Sequence, residues 1–246
     1  MNENLNALSH CIGYGNPSAT LWFISLEDGG GYCEKNEEDK IDPICKNKEL
    51  QRLKVYKKKF TDNNFSAYYL TNEDLEDFYF QFPEEREKAA TDFTYDNYCS
   101  IYNSLNNDNM ASNNIGDSDS KIFIANLFPI SRSNSENNFD PFVKEFIFDG
   151  TFEEWEERYW LDRKKNLSDL FKNAALSNTS MTIVFFGVDE KFNELLSEIM
   201  GKEIRLKFEE KLFLNNITFL QTYHAGRRTT YNKKFNIDSV IKLLSE

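Results

Sequence analysis

Four short apolar runs constrain this chain more than any other feature. They lie at residues 20–24 (TLWFI), 122–126 (IFIAN), 182–186 (TIVFF) and 217–221 (ITFLQ). Each is long enough for a buried strand and too short for a helix. Between them the apolar residues change to helical spacing. Tyr98, Ile101, Tyr102 and Leu105 share one face of a helix expected over 95–105. Trp155, Tyr159, Leu167, Leu170 and Phe171 supply the apolar positions of another over 151–175, with Ser168 as a point of restart. Phe192, Leu195, Leu196 and Ile199 mark a third over 191–200. Strands that are apolar throughout need cover on both faces, and helices supply it. The expected fold is therefore α/β: a three-layer α/β/α sandwich around a central, mostly parallel four-stranded sheet, as a single domain over 1–246.

The first two runs are far apart, so a large insertion is expected after the first core strand, at about 33–118. It contains a helix candidate at 47–60 and strand candidates at 65–70 (FSAYYL) and 77–82 (DFYFQF). The helix ends in Lys54, Lys57, Lys58 and Lys59, which suit either a solvated face or phosphate contact. Thr151 with Glu154 reads as a capping box, and a terminal helix over 236–244 is capped near Asn236 or Asp238.

The ends of three runs carry unusual chemistry. The first is framed by the turn residues Gly13, Gly15, Asn16 and Pro17 and ends in Glu27, Asp28, Gly29, Gly30 and Gly31. A carboxylate pair beside glycine backbone suits either an acidic turn or a ligand site, because ligands of open α/β sheets bind beyond the carboxyl ends of the strands. The second run is interrupted by Asn126, whose amide needs partners inside an apolar strand. The fourth runs on into His224, Ala225, Gly226, Arg227 and Arg228. Parallel strands bring all three ends to one sheet edge.

Composition narrows the function classes. The formal net charge is −12, which disfavours whole-surface attraction to nucleic acid but permits a local basic groove. No run of roughly 18 apolar residues is present, so no membrane span is expected, and the N-terminus MNENLNALSH has no signal-peptide pattern. Cys11, Cys33, Cys45 and Cys99 form no CxxC pair. Reduced thiols, a cytoplasmic setting and no metal or other cofactor follow as expectations.

The ordered set of strand ends resembles the uracil-DNA glycosylase superfamily. GYGNPSATLWFISLEDGG is similar to that family's opening, in which a G-x-G-N-P-x-A segment precedes a strand and a catalytic loop. It is most similar to the iron–sulfur branch, although the cysteines here lack the cluster spacing. The resemblance puts Glu27 on the water-activating carboxylate. It identifies Asn126 with the amide that reads the base edge, and His224 with the family histidine. Asp28 stands where the first loop has proline, and Ala225 and Gly226 where the second has proline and serine.

What the resemblance implies is a monofunctional DNA glycosylase that hydrolyses the N-glycosidic bond of a flipped-out uracil or modified base. Glu27 and Asp28 would stabilise a cationic sugar and orient water, and His224 would donate to the departing base. Asn126 would pair with the base edge while Tyr32 stacks on it. Arg227, Arg228, Lys233 and Lys234 would hold DNA phosphates as a local basic patch. The same residues also suit a catalytically inactive module of that fold that binds nucleic acid or a nucleotide, or a hydrolase of free nucleosides.

Overall fold

Seven strands form one mixed sheet in the computed structural model, which describes residues 2–27, 33, 41–90, 92–130, 139, 141–177, 180–187, 190–223 and 236–246. The chain opens with helix α1 (Glu3–His10) and strands β1 (Cys11–Gly15) and β2 (Leu21–Glu27). The insertion supplies α2 (Pro43–Asp62), β3 (Tyr68–Leu70), α3 (Glu76–Gln81), α4 (Pro83–Ala90) and α5 (Phe93–Asn106). Then come β4 (Ile122–Phe128), α6 (Pro141–Phe146), α7 (Phe152–Ser177), β5 (Met181–Phe186) and α8 (Glu190–Met200). The hairpin β6 (Lys211–Leu214) and β7 (Ile217–Thr222) precedes the last helix, α9 (Ile237–Ser245).

The strand order is β3-β1-β4-β2-β5-β7-β6. The pairs β4–β2, β2–β5 and β5–β7 are parallel, as is β1–β3, whereas β1–β4 and β6–β7 are antiparallel. The α/β class is as expected, but the sheet is mixed and has seven strands rather than four. Of the additional strands, β3 falls on the strand candidate at 65–70, whereas β1 and β6 were hidden for local reasons. The glycines of CIGYG read as a turn, yet Gly13 lies inside β1 because β4 passes close by. A Cβ there would sit 2.2 Å from the Ile124 carbonyl oxygen and 2.6 Å from the Phe123 ring. The β6–β7 hairpin turns through Asn215, whose φ of 55° is left-handed.

The period-two alternation of the strands divides the core between two faces. Trp22, Ile24, Phe123, Ala125, Ile183, Phe185 and Phe219 meet Trp155, Leu167 and Phe171 of α7 and Phe192 and Leu195 of α8. On the other face, Leu21, Phe23, Ile122, Ile124, Val184, Phe186 and Leu220 meet Tyr98 and Ile101 of α5 and Val240 of α9. Tyr98 stacks on Phe23 and Phe186, with ring centroids 4.3 and 5.2 Å away. The insertion thus covers the sheet directly through α5. A third cluster, including Cys11, Phe60, Tyr68, Leu75 and Phe78, joins β1 to α2, β3 and α3.

Local signals account for several boundaries. The α7 capping box is reciprocal: the Glu154 N–H donates to Thr151 Oγ1 at 3.2 Å, and the Thr151 N–H to Glu154 Oε2 at 3.1 Å. Asn236 caps α9, and Asp42 caps α2 one residue before Pro43. Ser168 marks no restart; it is buried inside an unbroken α7. The DFYFQF segment is a helix at its core, not a strand. Phe78 and Phe82 meet at i,i+4 spacing, with centroids 5.3 Å apart, which an extended chain does not allow. The thiols also differ from expectation. Cys33 and Cys45 form a disulfide, while Cys11 and Cys99 are buried thiols outside any disulfide. The separation of Cys33 and Cys45 by twelve residues gave no pairing signal in the sequence. Among the described residues no helix is long and apolar enough to cross a membrane.

Candidate functional site

The register aligns the carboxyl ends of the parallel strands. Ser25 lies opposite Asn126 on one side and Phe186 on the other, and Phe186 lies opposite Thr222. From β2 the next core strand, β4, is added on one side, and β5 and β7 follow on the other. Such a reversal opens a crevice at the carboxyl ends. Glu27 is the last residue of β2, paired with Phe128, so its backbone is at the same edge as Asn126. The Glu27 side chain lies outside the described residues. So do Asp28, Tyr32, His224, Arg227, Arg228, Lys233 and Lys234.

A cavity of about 400 Å³ opens at this edge, on the β1–β4–β2 side. Gly13, Tyr14, Ser25, Ile124 and Asn126 line it from the sheet. The insertion supplies the opposite walls, with Tyr56 from α2, Phe78 and Tyr79 from α3, and Tyr95 and Tyr98 from α5. The insertion therefore builds the pocket rather than decorating the fold. Burial pushes the Tyr14, Tyr79 and Tyr98 phenols up, so they are neutral at ordinary pH. Tyr14 donates to Asn72 Oδ1, and Asn72 Nδ2 donates to Asp117 at 2.7 Å and to the Asn113 carbonyl at 3.0 Å.

Asn126 is half-buried and lines this space. Its Oδ1 accepts from the Ser25 hydroxyl, and its main-chain carbonyl accepts from Arg163 Nη2 at 2.6 Å. Its Nδ2 donates to no described residue. The amide is thus anchored on one side and has donors left over on the other. A planar ligand in the cavity would meet aromatic faces and, at Asn126, N–H groups suited to a carbonyl or ring-nitrogen acceptor.

Sequence reasoning missed Arg163. It is 1 % exposed and lines the same cavity. Burial lowers its guanidinium to about 10, so it is charged at neutral pH. Its sequence signal was present: Trp155, Tyr159, Arg163, Leu167 and Phe171 recur every four residues, which places a charge in the apolar stripe of α7. The other cavity cations have carboxylate partners. Lys88 meets Glu85 at 2.6 Å, and Arg52 meets Glu49 at 2.9 Å. In the basic end of α2, Lys59 is bound to both oxygens of Asp74. Among the described residues no three His, Cys, Asp or Glu side chains come together as a metal site. No protein-family model matches the chain, and no curated protein matches it.

Proposed function

We propose that this protein is a DNA glycosylase-like base-excision protein that takes an extruded uracil or modified base into the Asn126 cavity. The observation that carries the proposal is the Asn126 amide. It is fixed by Ser25 at the carboxyl edge of β4, with its Nδ2 unpaired among the described residues, beneath walls of tyrosine and phenylalanine. A base read by hydrogen bonds to its edge and stacked on aromatic rings needs that combination. In this proposal Asn126 pairs with the base edge, and Tyr32 joins the cavity tyrosines as a stacking partner. Glu27, with Asp28, stabilises the cationic sugar and orients water. His224 donates to the departing base, and Arg227, Arg228, Lys233 and Lys234 hold the DNA phosphates.

A binding module without turnover is the second reading. It is favoured by the net charge of −12 and by the carboxylates that hold Arg52 and Lys88 at the cavity. Action on DNA sets the cytoplasm as the proposed compartment. The Cys33–Cys45 disulfide runs against it, since cytosolic thiols are kept reduced.

The test is incubation with oligonucleotides carrying uracil, hypoxanthine, xanthine or modified pyrimidines, followed by alkali. Strand breaks at one of these bases support excision. Binding without breaks supports the module. Neither binding nor breaks on any of them removes both readings.

A further inference from the structure

The β1–β4 ladder stops just before the site. Its pairs run Gly15–Phe123, Tyr14–Ile124 and Gly13–Ala125. Continued, it would join Ile12 to Asn126 and Cys11 to Leu127. Those pairs do not form, and β1 is irregular between Cys11 and Gly13 on its other side as well. The Arg163 guanidinium stands in the gap. Its Nη2 donates to the carbonyls of Asn126 at 2.6 Å and Ile12 at 3.3 Å. Its Nη1 donates to the carbonyls of Cys11 and, at 3.3 Å, Ser9, and its Nε to that of Leu127 at 3.2 Å.

We infer that Arg163 is the positioning residue of the Asn126 pocket: its guanidinium replaces the missing ladder, holds β1 and β4 apart, and fixes the backbone from which the Asn126 amide faces the cavity. An uninterrupted ladder would satisfy two strands without burying a charge. Burying one is costly unless every donor is matched, and here the five N–H donors meet five carbonyls. The recurrence of apolar residues along α7 calls for a hydrophobic side chain at this position, so the charge answers to the gap and not to the helix. Lysine cannot take the place of arginine. Its compact ammonium has three donors and no planar fork, so it cannot span both strands at once.

The geometric part of this inference stands alone, whereas its effect on a ligand rests on the proposed base pocket. The test therefore has two readouts, on Arg163→Lys and Arg163→Gln, each alone and combined with Asn126→Ala. The first is the side-chain amide resonance pair of Asn126 in ligand-free, 15N-labelled protein, assigned by its loss in Asn126→Ala. It should move in Arg163→Lys, while the pair of the distant Asn216, bound to the Ala175 carbonyl, stays. The second is affinity for a single-stranded oligonucleotide containing uracil. It should fall about tenfold or more in a folded Arg163 variant, and Asn126→Ala should then lower it no further. A purely structural arginine predicts otherwise: an unmoved Asn126 pair, or Asn126→Ala costing the same factor with and without Arg163. Either result overturns the inference. If the unaltered protein binds no such oligonucleotide, the base-pocket proposal fails and the resonance alone decides the role of Arg163.

Discussion

Ser25 and Asn126 lie opposite each other on neighbouring parallel strands, and the serine hydroxyl donates to the asparagine Oδ1. With the hydroxyl donating to Oδ1, Nδ2 is the end of the amide left for the cavity. Ser25→Ala releases the amide to turn over. A net hydrogen bond is worth about 0.5–1.5 kcal/mol, so a several-fold loss of affinity for a carbonyl-bearing base is expected, with weaker rejection of an amino-bearing one. Competition between uracil- and cytosine-containing oligonucleotides measures both. Asn126→Asp should change which base is accepted, because an amide donor becomes an acceptor.

Glu27 ends β2 at the same edge. Glu27→Gln keeps the size of the side chain and removes the charge proposed to stabilise the sugar cation. Single-turnover cleavage should slow by ~10²–10⁴, the usual worth of such a group, with oligonucleotide binding little changed. Equal losses in binding and cleavage would move Glu27 out of the chemistry and into recognition.

Stability should fall on the alkaline side. Burial pushes the Cys99 thiol up to about 12 and raises the phenols of Tyr14, Tyr68, Tyr79 and Tyr98. These groups stay protonated in the folded protein at pH values where the unfolded chain has released its protons. The unfolded state then binds fewer protons, so unfolding becomes easier as pH rises. The loss should begin near the ordinary cysteine value of about 8.5 and steepen near the tyrosine value of about 10. Urea titrations across that range measure it, and Cys99→Ala should remove the early part alone.

Gly13→Ala tests the approach of β1 to β4. The added methyl would sit 2.2 Å from the Ile124 carbonyl oxygen, and that backbone cannot give way without moving the strand beside Asn126. Overpacking of this kind costs about 1–3 kcal/mol or more. Gly201→Ala is the comparison. Nothing lies within 4 Å of its added methyl, so only its φ of +65° is strained. The left-handed backbone alone costs roughly 1–2 kcal/mol. Denaturant midpoints should rank Gly13→Ala as the more damaging, and it alone should shift the Asn126 amide resonances.

What was legible in the sequence rests on short-range physics. An apolar run of strand length, a period of three to four, and a Thr151–Glu154 box act over a few residues. They determined the α/β class, the long helices and the placing of Asn126 near a strand end. The α3 segment was misread because its aromatic residues suit a strand until Phe78 and Phe82 are seen touching along a helix. Only the tertiary structure decided the rest, because each remaining feature joins residues far apart in the chain. Gly13 is required by a strand that arrives at Ile122. Cys33 pairs with Cys45 of α2, and the insertion's tyrosines wall a cavity based on β4. Arg163 looked like one more helical cation because the carbonyls that hold it belong to Ser9, Cys11, Ile12, Asn126 and Leu127. The carbonyls of Cys11, Ile12, Asn126 and Leu127 meet Arg163 where the β1–β4 ladder stops, and no local pattern in the chain encodes that parting.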